Sequence, residues 1–123
     1  MSLIDFKRRA IAGLLIITVK IIRIEIMKIR EFLQQKREDI LQIADQHGAF
    51  NVRIFGSVAR GEETENSDID FLIDYDVSKI SPWFPVGLIE DLEQILNRKV
   101  DVVTAKSLHY FIREKILNEA IKL

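Results

Sequence analysis

Asn51-Val52-Arg53-Ile54-Phe55 runs without interruption into Gly56-Ser57, and after ten intervening residues the chain reads Asp68-Ile69-Asp70. The first run reads as a short strand, and Gly56-Ser57 as the sharp turn that leaves it. Val58-Ala59-Arg60 then makes one helical turn, stopped by Gly61. Glu62 to Asn66 is a polar loop, and Asp68 to Tyr75 is a second strand rich in Ile, Phe and Leu. This order attaches a phosphate-sized turn and a carboxylate pair to consecutive strands, which few small folds can accommodate.

The flanking segments supply the remaining elements. Residues 27–47 predict an amphipathic helix, with Ile29, Phe32, Leu33, Ile40, Ile43 and Ala44 on one side at three-and-four spacing. Gly48 is suited to cap it in the left-handed conformation, and His47 reads as a last-turn residue rather than a ligand. Ser78 to Pro85 is a loop in which Trp83 and Phe84 cover the edge of the core. Val86 to Asn97 is a helix with Leu88, Leu92, Ile95 and Leu96 inward, Lys99 to Val103 a third strand, and Leu108 to Ile121 a final helix. The resulting fold class is α/β (α+β): a small mixed sheet with helices packed on it, covered on one side.

Residues 1–26 stand apart from this pattern. Ala10 to Val19 is an apolar run behind Lys7-Arg8-Arg9, with no small-x-small cleavage site after it. Lys20, Arg23 and Glu25 interrupt it well short of the roughly 20 apolar residues of a membrane span. Three readings fit: an extension upstream of a domain that opens at Met27, an added helix or strand that packs on the domain or a second subunit, or a weak membrane attachment. The domain division is accordingly 1–26 and 27–123.

Composition narrows the function classes. The absence of cysteine removes thiolate ligands and thiol catalysis and fits a reducing cytoplasm. Net charge is −1, but residues 1–26 carry five basic and two acidic side chains, so the remainder is the acidic part. An acidic body is a poor binder of nucleic acid and suits a metal–nucleotide and a basic partner protein. Length bounds the reading too. About a hundred residues hold a catalytic module and no separate domain for a template.

The chemistry follows from strand faces. Asp68 and Asp70 lie two apart and project from one face, leaving Ile69, Phe71 and Ile73 to the core. Paired carboxylates repel and raise one pKa, a conflict that a divalent cation such as Mg²⁺ removes. Asp101, between inward Val100 and Val102, projects from the opposite face of its strand. If that strand neighbours the Asp68–Asp70 strand, three carboxylates converge, a set that fits two metal ions. At the turn, Gly56 lets backbone approach a phosphate, Ser57 offers amide and hydroxyl donors, and Arg60 either neutralises phosphate or holds acidic groups of the loop.

Neither Gly-Ser nor Asp-x-Asp is diagnostic alone, but their joint order is. The chain resembles the nucleotidyltransferases of the DNA polymerase β superfamily, and among them the minimal nucleotidyltransferase (MNT), MntA-like antitoxins. The resemblance rests on Phe55-Gly56-Ser57-Val58-Ala59-Arg60-Gly61, Ser67-Asp68-Ile69-Asp70, Lys99-Val100-Asp101-Val102-Val103-Thr104, Leu108 and Glu119-Ala120-Ile121, within residues 27–123. It implies a nucleotidyltransferase fold, Asp68, Asp70 and Asp101 as catalytic metal ligands, and Gly56 and Ser57 on the triphosphate. It implies ATP as substrate, Mg²⁺ as cofactor, and a HEPN-domain RNase toxin as partner, silenced by AMP transfer to a Tyr.

Three functions compete at this level. The first is a Mg²⁺-dependent protein adenylyltransferase acting as antitoxin of a type VII HEPN/MNT pair, with no direct nucleic-acid or membrane contact and any oligomer formed through the complex. The second is an antitoxin that neutralises by binding alone, without catalysis. The third, an enzyme on a small molecule, lacks the additional substrate domain of aminoglycoside nucleotidyltransferases.

Overall fold

Ser2 begins the first helix by accepting the Asp5 N–H at 3.1 Å on its hydroxyl, which in turn donates to the Asp5 carboxylate. The computed structural model describes residues 2–64 and 66–123, without the side chains of Phe6 and residues 19–28. Helix α1 runs Leu3–Gln35 and α2 runs Arg37–Gln46. The helix anticipated over residues 27–47 therefore starts far earlier and bends at Lys36. The hydrogen-bond ladder carries through the bend, since the Lys36 N–H donates to Phe32 O and the Lys36 carbonyl accepts from Ile40. Both sides of the bend reach the core: Leu33 and Ile40 are fully buried. Each such side chain contributes about 1.5–3 kcal/mol on burial.

The backbone of residues 19–28 is helical, so the strand alternative for the amino-terminal segment is not realised. The side chains of Ile22, Ile24 and Ile26 fall outside the described residues. Farther out, Leu3, Ile4, Ile11, Leu14, Leu15, Ile16 and Ile17 are each more than half exposed, so this part of α1 does not pack on the domain. No helix among the described residues is long and apolar enough to cross a membrane.

Four strands form the sheet in the order β3-β2-β1-β4: β1 Ala49–Phe55, β2 Ile69–Tyr75, β3 Val100–Thr104 and β4 Ile121–Lys122. β1 is antiparallel to β2 and β4, and β2 is parallel to β3. The alternation of β1 slips once. Asn51 has φ 51°, the register shifts between Phe50 and Arg53, and Ala49 and Val52, three apart, both face inward. Asn51 and Arg53 then join the Asp74 carboxylate, at 2.8 and 3.2 Å.

One sheet face carries the core. Val52, Ile54, Ile69, Phe71, Ile73, Val100 and Val102 cluster with Leu33 of α1, Ile40 and Ala44 of α2, and Leu88, Leu92 and Leu96 of α4 (Val86–Leu96). Between α2 and α4, His47 meets the Asp91 carboxylate at 2.7 Å, which makes it a structural pair rather than a metal ligand. Gly48, at φ +78°, turns the chain from α2 into β1.

Two expectations need correction. Trp83 is 78 % exposed and covers nothing; Phe84 alone packs on the core, with its ring 5.3 Å from Tyr75. The final helix is also shorter than the apolar spacing suggested. After a 3₁₀ turn at Ala105–Ser107, helix α5 spans only Tyr110–Glu119, and the chain then returns as β4. Leu123 enters the core there, its N–H donating to Val52 O and its carbonyl accepting from Arg37. A two-residue strand has no periodicity to detect, and backbone pairing with β1 overrides the local helical pattern.

Candidate active site

β1 ends at Phe55, whose extended backbone caps the five-residue helix α3, Gly56–Arg60, before Gly61 stops it at φ 71°. Gly56 itself has φ +74°, and a Cβ placed there would collide with Oδ2 of Asp70. The β1–β2 register explains the contact, because Phe55 pairs with Asp70. Glycine at this position therefore makes room for the Asp70 carboxylate.

Asp70 in turn faces Asp101. The parallel register of β2 and β3 sets the two directly beside each other, and Val100 and Val102 are buried on the far face. Asp68 lies just before β2, half-buried, rather than within the strand. Desolvation first, then the charges of Asp101 and Asp68, push the Asp70 carboxyl up to about 6 from its usual 3.8, while Arg60 opposes the shift. Among the described residues, no group of three or more His, Cys, Asp or Glu side chains is placed to hold a metal ion, so the expected convergence of Asp68 with Asp70 and Asp101 as a three-carboxylate set is not found. The donor set nonetheless fits Mg²⁺, which takes one or two carboxylates and leaves its other positions to water and phosphate oxygens.

Arg60 holds two acidic groups, one in the loop and one at the end of α5. Its Nε donates to Glu62 at 2.9 Å and its Nη1 to Glu119 at 2.6 Å. The Glu62 hydrogen bond leads in pushing its pKa further up, with Glu119 adding its charge. The same Glu119 oxygen accepts the Gly56 N–H at 2.7 Å.

Sequence reasoning assigned no role to Glu119, nor to two arginines that support the site. Arg30, on α1, donates to Ala59 O at 2.6 Å and so satisfies a carbonyl at the end of α3. Arg98 reaches Ser67 O at 2.9 Å and Thr64 O at 3.2 Å, which fixes the loop delivering Asp68. Ser67 adds a turn of its own by accepting the Thr64 N–H. All three long side chains act across 28 or more residues. Only the recurrence of Glu119 in the tail that carried the resemblance pointed to any of them.

Comparison with known proteins agrees with this fold. A family model described as "Nucleotidyltransferase domain" matches residues 26–123. A Methanocaldococcus jannaschii protein named as a putative protein adenylyltransferase is 39 % identical over 89 residues, covering 72 % of this chain and 95 % of its own. The protein adenylyltransferase MntA of Thermococcus cleftensis is 34 % identical over 80 residues, covering 65 % and 80 %. Among solved structures, one of a putative minimal nucleotidyltransferase superposes with TM-score 0.68 at 41 % identity, covering 76 % of this chain and 94 % of its own. A toxin–antitoxin crystal structure with AMP-PNP shares the fold, with TM-score 0.58 at 20 % identity over 69 % of each chain.

Proposed function

The chain belongs to the nucleotidyltransferase domain family, and from that premise we propose that it is an antitoxin that transfers AMP from ATP to its cognate toxin. The observation that carries the reading is the pairing of Asp70 with Asp101 beside the Gly56-Ser57 turn. In the reaction an acceptor hydroxyl attacks the α-phosphorus of ATP, the bond to the bridging oxygen breaks, and pyrophosphate leaves. The acceptor proton is lost and AMP remains as a phosphodiester.

Each residue has a part in that step. The Ser57 amide and hydroxyl and the Gly56 turn hold the triphosphate, and Arg60 neutralises it with the N–H groups left over from Glu62 and Glu119. Asp68, Asp70 and Asp101 would hold Mg²⁺, two ions by carboxylate count. Bound there, the metal would neutralise phosphate charge and acidify the attacking hydroxyl. Positioning and charge neutralisation supply the rate enhancement, without a covalent enzyme intermediate.

The partner rests on resemblance and on the relatives. Likeness to an enzyme named protein adenylyltransferase MntA supports a protein acceptor, and the family resemblance points to a Tyr of a HEPN RNase. Residues 27–123 form the catalytic unit.

Mass spectrometry of the toxin encoded beside this gene, after incubation with this protein, Mg²⁺ and ATP, tests the whole reading. A mass gain of one or more AMP units that disappears with Asp70→Asn supports it. No gain with the wild type sinks it. The acidic body favours one competing reading, neutralisation by binding a basic RNase surface. Protection of cells by a chain carrying both Asp68→Asn and Asp70→Asn would favour that alternative.

A further inference from the structure

Glu119 is the last residue of α5, with a side chain 14 % exposed, and one of its oxygens accepts from both Gly56 N–H and Arg60 Nη1. It links the two groups offered to the triphosphate: helix α3 already sets the backbones of Gly56 and Arg60 four residues apart, and Glu119 fixes where the long Arg60 side chain places its guanidinium relative to the turn. Two roles are open to a carboxylate in such a place. It is either a stand-in anion that a phosphate must displace, or a support that a phosphate leaves alone.

The sheet decides between them. Ile121 of β4 pairs with Ile54 of β1 in antiparallel register, and Lys122 with Arg53. That pairing brings the end of α5, where Glu119 lies two residues before Ile121, beside the start of α3, where Gly56 lies two residues after Ile54. The carboxylate is thus anchored by a strand ladder, reinforced by Leu123 N–H on Val52 O. A displaceable plug would sit on a mobile segment; this one is pinned to the strand that carries the turn. Arg60 also keeps donors to spare, since a guanidinium has five N–H groups and only two are engaged here.

We propose that Glu119 is a positioning residue that holds Gly56 and Arg60 at the spacing required by the nucleotide triphosphate. This rests on the nucleotidyltransfer reading above and adds a residue to it. The contacts of Glu119 are the Gly56 N–H and the Arg60 guanidinium. It acts through the turn and through Arg60, by fixing before binding what the ligand would otherwise have to order.

Calorimetry of the full chain with ATP and Mg²⁺, below the melting temperature of every variant, tests the role. Glu119→Ala is expected to weaken ATP binding about tenfold, as befits loss of a charged hydrogen-bond acceptor. Glu119→Gln, which can still accept the Gly56 N–H, should recover part of the loss. In an Arg60→Ala background the effect of Glu119→Ala should shrink. In the transfer assay, Glu119→Ala should raise KM for ATP more than it lowers kcat, a split that simple loss of folded protein does not produce. Unchanged or tighter ATP binding by folded Glu119→Ala overturns the proposal while leaving the nucleotide reading intact. Wild-type protein that binds no ATP overturns both.

Discussion

The Cα of Gly56 lies against the Asp70 carboxylate so closely that no side chain fits between them. The turn and the first carboxylate are therefore one packing unit, and substitution at either reports on the other.

Gly56→Ala should be damaging twice over, through the positive φ and through the collision with Asp70. The backbone strain alone costs roughly 1–3 kcal/mol, and displacement of Asp70 should abolish AMP transfer. Gly61→Ala is the control. Its φ is +71°, but a Cβ there meets only Arg30 Nη2, at 3.8 Å. It should cost about 1 kcal/mol and leave substantial activity. Thermal melts and transfer assays on the two variants check the contrast; equal activity in both would count against the close approach.

Asp70→Asn and Asp101→Asn should each lower AMP transfer by at least about a hundredfold, with the folded structure retained. The two sit at one level of adjacent strands, so their losses should not add. A double variant much slower than either single one would indicate that they act separately.

The raised Asp70 pKa makes stability depend on pH. Asp70 ionises near 3.8 in the unfolded chain and at about 6 in the folded one. Between those values the folded state holds the extra proton, so this group's stabilising contribution is present below about pH 4 and is lost as pH rises through 6. Melting temperatures of metal-free wild type minus those of Asp70→Asn should therefore fall between pH 4 and pH 7. At pH 7.5, Mg²⁺ should raise the wild-type melting temperature and leave Asp70→Asn nearly unmoved. A flat difference across that range would remove the electrostatic conflict from the account.

Deleting residues 1–26 should leave the domain folded. The described apolar side chains of α1 up to Ile17 are exposed, and the described side chains of α1 that pack on the core are Ile29, Phe32 and Leu33. The melting temperature should stay within about 4 °C of the full chain's, transfer should persist, and self-association by light scattering should decrease. Failure of the shortened chain to fold would show that the domain begins before Met27.

What was legible in the sequence was what depends on local period. Ile69, Phe71 and Ile73 alternate, Leu88, Leu92 and Leu96 repeat at helical spacing, and Val100 and Val102 bracket Asp101; the structure buries all of these apolar side chains. The Asp70 conflict was readable only in part: the two-residue spacing pointed to Asp68, whereas burial and the cross-strand Asp101 raise the Asp70 pKa more. What was not legible depends on pairing between distant segments. β4 is two residues long, the bulge at Asn51 resets one strand, and Glu119 finds Gly56 across 63 positions. Trp83 and Phe84 show a smaller failure: adjacent aromatic residues between two prolines gave no cue to which one turns inward.

β3 also serves as a proofreader. Side chains change faces at every step along a strand, so a slip of one residue against β2 would drive Asp101 into the apolar interior and turn Val100 and Val102 out to water. A sheet misaligned by one residue is therefore disfavoured by the same burial that holds the native one together. Burial of Val100 and Val102 thus keeps Asp101 on the face that carries Asp70, and the apolar residues of β3 help set the carboxylate pair as well as the core.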